Sequence, residues 1–587
     1  MVYNNHKLIF RGYVLDNQAY EALKSKDISQ AEYYILDILR DKCKTEEIQT
    51  YRVGIAFLAL YLSEMKSRNL VMKHIEKNIE DETTLMFLKK AHRVFEYEIE
   101  SVSKKFDTDS LKAAILFSDL SRLRDSEHHS TPEGISQLAI SLLDLNKNDT
   151  ILDLGSGVLS FLIKAAYQSA SQKLYGVEIN TPSIIVANMR RSLLQLPIQL
   201  TQGNMISQSF SHLSANKVFS DHPYGMRLSE LIMLLSKNPL LSEFFKEEKR
   251  TVSGDWIYNM AAFFSMKPPG KTVVLMTNGG TWNKSDENIR KKLLEKGIIE
   301  AVILLPERLL SYSMLPLTML VLSNNNQDIK MVDATQVYTE GRKQNSLEEK
   351  DVKSILEAYQ QDTAISKTVS IDDIKSQEYI LNPKRYVGEN IKIKNSITLG
   401  EACLAINRGA MMKSNELDQL VCSEKTNFQY LKLQDIQNGF IEEDLPSLKS
   451  LKEEHEKYVI HDKNLIISKI FPFKIATAKI KTDEQLLASG NLYFLELDES
   501  KVNPVFVEVF LRSEAGMTQF NYLSKGTIMK SISIQDLKEI QIPNIPREEQ
   551  DKIAKEYEML SDEIIILQRQ MEMVCDKRDR LIEGLIK

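Results

Sequence analysis

Between Asp149 and Asn180 the chain reads DTILDLGSGVLSFLIKAAYQSASQKLYGVEIN. A short apolar run, Ile151 to Leu154, meets Gly155-Ser156-Gly157; a helical stretch follows, and a second apolar run ends in Glu178. Strand, glycine turn, helix and strand in that order form a βαβ unit, and a parallel pair of strands needs such a crossover. The runs KVFSD, TVVLMT and EAVILL, separated by helical stretches, continue the alternation. The expected core of the chain is therefore a mostly parallel, Rossmann-like sheet with helices on both faces.

The same segment suggests a ligand. Glycines at a strand end let the backbone approach a small molecule, and an acid closing the next strand can accept both hydroxyls of a ribose. That describes nucleoside binding in general, and two cofactors compete for it. A dinucleotide site carries a third glycine, G-x-G-x-x-G. Here the turn is G-S-G-V-L-S and opens with Asp153, which would repel a pyrophosphate but pair with the amino group of a methionine moiety. S-adenosylmethionine is expected over NAD, with a purely structural tight turn as the bland alternative.

The strand from Lys217 to Ser220 runs directly into Asp221-His222-Pro223-Tyr224-Gly225. This resembles the (D/N/S)-P-P-(Y/F) motif of amino-methyltransferases. A planar exocyclic amine is a poor nucleophile, because its lone pair is delocalised into the ring. A side-chain oxygen at the first position and the carbonyl of the second accept its two hydrogens and localise that lone pair. The aromatic at the fourth position stacks on a base flipped out of its duplex. His222 stands where the motif has proline; it still supplies a carbonyl but not proline's stiffness. Its ring as a base, and a dead structural turn, are the alternatives.

From about Ser130 to Val387 the chain resembles the modification (methyltransferase) subunit of type I restriction-modification systems. The resemblance rests on Ser130-Thr131-Pro132 after His128 and His129, DLGSG, GDWIYNMAAFFSMKPPGKTVVLMTNGG, IRKKLLEKGIIEAVILLPERLL, LPLTMLVLS and YILNPKRYV, in that order. It implies an adenine-N6 DNA methyltransferase using S-adenosylmethionine. Thr131, Pro132, Asp153, Gly155, Gly157, Glu178 and Asn204 would hold the cofactor, Asn204 by meeting its adenine through either its oxygen or its NH2. Asp221, His222, Pro223 and Tyr224 would form the catalytic loop. No metal is implied.

From Ile397 onward LGEACLAINRGA, YLKLQDIQNGFI, NLIISKI, SGNLYFLEL and LKEIQIPNIPREEQDKIA resemble half of a type I specificity subunit: one target-recognition domain and one spacer helix. Between Ser447 and Thr482 eight lysines face four acids, in a chain of net charge -6. With the resemblance, Lys463, Lys469, Lys474 and Lys479 are candidate contacts to DNA phosphates; alone they read as a solvated lysine-rich face. After Pro546 apolar residues fall at Ile553, Tyr557, Leu560, Ile564, Leu567, Met571, Val574, Leu581 and Leu585, close to a coiled-coil seam. That seam suits either packing on its own domain or pairing with a second copy of the chain.

The expected organisation is a helical N-terminal domain over 1–125, the methyltransferase domain over 126–390, an α+β target-recognition domain over 391–545 and a spacer helix over 546–587. Expected partners are double-stranded DNA, a second copy through the C-terminal helix, and a separate restriction or specificity subunit. Four scattered cysteines, no signal pattern and no long apolar stretch suit the cytoplasm rather than a membrane. Glu64-Met65-Lys66 carries nuclease-like letters inside a helical pattern, and no GxxxxGK loop is present. Two other functions compete. One is a catalytically impaired, cofactor-binding DNA-recognition protein, motivated by DHPY in place of NPPY or NPPF. The other is methylation of a protein glutamine amide.

Overall fold

The structure, a computed structural model, describes residues 17–581 except 41, 45–46, 119, 121–129, 170, 172, 311–312, 343, 388–392, 413 and 525–529. His128, His129 and Leu585 lie outside the described residues. The chain forms two compact units, Met1–Val387 and Gly388–Lys587.

The first unit is built on a nine-stranded sheet. Its strands are β1 (Thr150–Leu154), β2 (Lys173–Glu178), β3 (Ile198–Gln202), β4 (Ala215–Ser220), β5 (Met266–Thr277), β6 (Ile299–Leu304), β7 (Leu317–Leu322), β8 (Asp328–Asp333) and β9 (Ser366–Ser370). The order is β3-β2-β1-β4-β5-β7-β6-β8-β9. Strands β1 to β5 pair in parallel, whereas β7 runs antiparallel to both β5 and β6, and β9 antiparallel to β8. The sheet is thus mixed on one side. Residues 345–385 contain the helix Glu349–Gln360 and also the edge strand β9. The polar run SKTVS hid that strand, because an edge strand with one solvated face has little apolar signal.

Alternate side chains of each strand enter opposite cores. Ile151, Val273, Leu275, Met319 and Val321 face one. Leu152, Val274, Met276, Leu320 and Leu322 face the other. Among the described residues seven helices lie between Asn17 and Phe117. They share the first core with the helix Thr181–Leu194 and the sheet rather than closing a core of their own. Arg190, almost fully buried, fixes this packing: its guanidinium donates to the carbonyls of Ile115, Val158 and Ser118. Glu64 and Met65 end the helix Ile48–Met65, so the nuclease-like letters sit on a helix.

The second unit is α+β. A four-stranded antiparallel sheet takes Cys403–Arg408, Leu492–Leu497, Leu465–Ser468 and Ile475–Thr477 in that spatial order, and a mixed five-stranded sheet packs with it. Ser396–Thr398 pairs with Gln541–Pro543 and brings the two ends of the globular part together. The helix Arg547–Asp579 then leaves. Its first turns are rooted: Gln550 is buried and accepts from the Asn503 amide over 2.8 Å, and the Tyr557 hydroxyl donates to Glu508 Oε1 over 2.7 Å. Beyond Ser561 the apolar seam Ile564, Leu567, Met571 and Val574 is exposed.

Among the described residues no helix is long and apolar enough to cross a membrane.

Candidate active site

A cleft of about 790 Å³ opens at the carboxyl ends of β1, β2 and β4. Its floor is the glycine turn. Gly155 and Gly157 have φ of 82° and 50°, a region that favours glycine. The amides of Gly155 and Ser156 donate to the Val177 carbonyl over 2.8 and 2.9 Å, which ties the turn to β2. A side chain at Gly155 would meet the Asp221 carbonyl at 3.6 Å, so the turn lies directly under the catalytic-loop backbone.

Glu178 closes β2 at the cleft. Its Oε2 accepts from the Gly157 amide over 2.8 Å, and its Oε1 from the amides of Ile179 and Asn180 over 2.8 and 2.7 Å. A carboxylate has about four acceptor positions, so these bonds orient it and leave capacity for a hydroxyl donor. Asp153 lies buried behind the turn rather than on the cleft wall. Burial, followed by the negative charges of Asp221 and Glu178, holds its carboxyl well above the usual carboxylate range. Its Oδ1 has no hydrogen-bond partner among the described residues. Two carboxylates, Glu178 and Asp221, line the cleft, and the Asp153 carboxyl lies behind its floor; this acidic lining suits a cationic ligand.

Asn204 lines the cleft after β3. Its Oδ1 accepts from the amides of Ile206 and Ser207 over 2.9 and 3.0 Å. With both lone pairs engaged, the side chain offers the ligand its NH2. Ile179, 59% exposed at the cleft edge, is a large apolar face next to Glu178 that sequence reasoning passed over. Thr131 lines the cleft, whereas Pro132 caps the helix Glu133–Leu143 and faces a neighbouring hollow.

The catalytic loop follows β4. Ser220 Oγ donates to the Leu154 carbonyl over 2.6 Å and locks the loop's root to the end of β1. Asp221 Oδ2 accepts from Thr131 Oγ1 over 2.8 Å, and its Oδ1 accepts from the Tyr224 hydroxyl. Pro223 is exposed, and Gly225 has φ of 82°. The Gly225 amide donates to Oδ1 of Asp255 over 3.1 Å, while the amide and hydroxyl of Thr277 donate to its Oδ2 over 2.8 and 2.6 Å. Asp255, fully buried at the start of the helix Asp255–Ser265, therefore clamps the loop to the end of β5. No local motif marks Asp255 for this role. The signal was an acid opening an otherwise apolar helix, DWIYNMAAFF.

His222 turns its ring inward. It is 2% exposed and stacks on Tyr258 with centroids 4.7 Å apart and planes 10° from parallel. Burial lowers its pKa to about 4, with Asp255 opposing. Such a ring is neutral and a weak proton acceptor, which argues against a base. Its burial anchors the loop where the motif uses proline.

The four lysines named as DNA contacts lie in the second unit and do not form one cluster. Lys463 and Lys479 sit at the open end of the hairpin Leu465–Ser468/Ile475–Thr477; Lys463 pairs with Glu499 at 2.9 Å and Lys479 with Glu558 at 3.5 Å. Lys469 and Lys474 flank the turn end, beside exposed Phe471. Arg408 lies close enough to help burial lower the pKa of Lys469, and Lys530 stands over the Phe471 ring at 5.6 Å.

Residues 120–395 match the family model of the N-6 DNA methylases. This stretch is an N-6 DNA methylase domain. The chain is 23% identical over 419 residues to the type I restriction enzyme MjaVII methylase subunit of Methanocaldococcus jannaschii, covering 64% of this chain and 69% of that protein. It is 21% identical over 326 residues to the type I restriction enzyme HindI methylase subunit of Haemophilus influenzae, covering 50% and 71%. A solved type I methyltransferase subunit from Streptococcus thermophilus superposes with a TM-score of 0.47 at 20% identity, over 62% of this chain and 99% of that one. The N-6 DNA methylase domain makes the protein a DNA methyltransferase that uses S-adenosylmethionine.

Proposed function

We propose that Asp221, His222 and Tyr224 act on the exocyclic amine of an adenine flipped into the cleft. The observation that carries this reading is the placement of Asp221. It follows β4 directly at the cleft, above the glycine turn, with Thr131 orienting one carboxylate oxygen. The other oxygen, held by Tyr224 here, accepts one amine hydrogen once Tyr224 turns to stack on the base. The carbonyl of His222 accepts the second hydrogen. Together they localise the nitrogen lone pair toward the donor. Bound S-adenosylmethionine supplies an electrophilic methyl on sulfur. Glu178 would hold its ribose, the Asn204 NH2 a ring nitrogen of its adenine and Ile179 an adenine face, while Asp153, behind the glycine turn, would favour its ammonium by charge. The proton lost after transfer passes to solvent, because the His222 ring holds protons poorly.

The second unit we read as the target-recognition domain, belonging to this chain's own methyltransferase. The basic and aromatic turn end around Lys469, Phe471 and Arg408 is the better candidate for DNA contact. Lys463 and Lys479 are already paired with acids. The exposed seam of the C-terminal helix supports pairing with a second copy, which would present two recognition domains to a two-part site. A separate restriction or specificity subunit and a cytoplasmic location complete the reading.

The test is direct. Purified full-length protein is incubated with unmodified DNA and S-adenosylmethionine, and the DNA is digested to nucleosides for mass spectrometry. N6-methyldeoxyadenosine, absent with Asp221→Ala, is the expected product. Methylated protein without methylated DNA would support the glutamine alternative instead.

A further inference from the structure

Positive charge is distributed unevenly over the second unit. Lys463, Lys479, Lys481 and Lys501 each pair with an acid. At the turn end of the hairpin Leu465–Ser468/Ile475–Thr477, Arg408, Lys469 and Lys474 have no acid partner among the described residues. Two of these are crowded together: after burial, the charge of Arg408 lowers the pKa of Lys469. Like charges held side by side repel, and an anionic or acceptor-rich ligand relieves the repulsion. Arg408 ends the strand Cys403–Arg408, opposite Tyr493. Its Nε donates to the Gly490 carbonyl over 3.0 Å, which fixes the plane of the guanidinium. The two terminal nitrogens have no hydrogen-bond partner among the described residues, and both reach solvent.

A fixed, open fork of two NH2 groups matches a pair of adjacent acceptors. DNA offers two such pairs: the oxygens of a phosphate, and O6 with N7 of a guanine. The neighbours decide between them. The turn beside Arg408 is braced from within, since the buried Ser468 hydroxyl lies 3.1 Å from the carbonyls of both Ile470 and Pro472 and accepts from the Lys474 amide over 2.8 Å. The Phe471 amide donates to the Lys530 carbonyl over 2.9 Å. On this fixed backbone the Phe471 ring is 55% exposed. An apolar ring gains nothing along a phosphate backbone, but it does at base edges, where thymine carries a methyl group. Fork and ring at one end therefore mark the part of the surface that faces base edges. Lys469 and Lys474, point charges on flexible stems, suit the phosphates on either side. We propose that Arg408 is a specificity-determining residue, its terminal NH2 groups donating to O6 and N7 of a guanine in the recognised sequence. The inference rests on the reading of this turn end as the DNA contact.

The experiment uses full-length protein and a duplex carrying the sequence it methylates, with each guanine replaced in turn by 7-deazaguanine, which keeps base pairing and lacks N7. Binding is read by fluorescence anisotropy over a range of salt. For the natural protein one replacement should weaken binding by about 5- to 10-fold, the effect of one hydrogen bond. Arg408→Ala should weaken binding to the unaltered duplex by about 5- to 100-fold, the worth of one bidentate contact, and should no longer respond to that 7-deazaguanine. Its binding to unrelated duplexes should change little. Arg408→Lys, which keeps the charge, should restore little. Lys469→Ala should instead weaken binding to all duplexes alike and make the salt dependence shallower. Natural protein indifferent to 7-deazaguanine at every position would overturn the inference, a result that needs no variant. So would Arg408→Ala weakening all duplexes equally with rescue by Arg408→Lys, the behaviour of a phosphate contact. Unchanged binding by both Arg408→Ala and Lys469→Ala would remove, with the inference, the DNA-contact reading beneath it.

Discussion

The Thr131 hydroxyl donates to Oδ2 of Asp221 over 2.8 Å, across 90 positions of sequence. The segment that opens the methylase domain thus orients the acid proposed to grip the target amine. Thr131→Val, which keeps the shape and removes the donor, is expected to lower kcat by about 10- to 100-fold, from the usual worth of a hydrogen bond to a charged group. Thr131→Ser should restore most of it. Single-turnover methyl transfer separates this effect from binding.

Asp255 is expected to behave as a positioning residue. Asp255→Ala removes the acceptor shared by Gly225 and Thr277. The loop should loosen, so that transfer falls by at least 10-fold while stability falls by ~1–3 kcal/mol. Asp255→Asn keeps an acceptor oxygen and should retain more activity than the alanine variant. Urea unfolding beside kinetic assay distinguishes a loosened loop from global unfolding.

These two bonds show what the sequence could and could not reveal. The glycine turn, Glu178 and the DHPY loop were legible because strand ends, glycines and acids follow a local order. Asp255 and Tyr258 were not, because their role is to hold a loop about thirty residues away in sequence. The inward turn of His222 depends on Tyr258 in the same way. Strands β1, β2, β4, β5 and β6 were legible as apolar runs, whereas β3, β8, the reversed β7 and the edge strand β9 were set by tertiary pairing. The four lysines share one run of sequence, but the hairpin sends the outer two, Lys463 and Lys479, to its open end and the inner two, Lys469 and Lys474, to its turn.

His222 should leave a signature in acid. Its folded pKa, about 4, lies below the ordinary 6.5, so the unfolded chain binds a proton at higher pH than the folded one. Stability from this group is therefore complete above about pH 6.5 and is lost as pH falls toward about 4, by ~3 kcal/mol in all. Asp153 acts in the opposite sense, because its carboxyl is raised. The difference in unfolding free energy between the natural protein and His222→Phe isolates the histidine. Relative to His222→Phe, the natural protein should lose stability as pH falls across that window.

Cofactor binding should be linked to protons through Asp153. Its raised pKa means the free protein holds that carboxyl's proton more tightly than usual, and an ammonium partner would favour the ionised form. Affinity for S-adenosylmethionine should fall as pH is lowered. Calorimetry in buffers of different ionisation enthalpy should show proton release on binding, reduced in Asp153→Asn.

The exposed seam of the C-terminal helix gives a prediction about assembly. Leu567→Glu with Val574→Glu places charge on the seam while leaving the rooted residues Gln550, Ala554 and Tyr557 in place. Sedimentation equilibrium should show the natural protein as a dimer and this variant as a monomer, both folded by circular dichroism. An identical oligomeric state for the two would remove the helix from the interface.

The central claim is that one chain both recognises a DNA sequence and methylates adenine within it. Long-read sequencing for modified bases tests it most directly, on DNA from cells expressing this chain alone and from cells expressing an Asp221→Ala, Tyr224→Ala variant. The account predicts N6-methyladenine at one defined motif, absent with the variant. Unmodified DNA, from cells in which the natural protein is folded and binds S-adenosylmethionine, would contradict it.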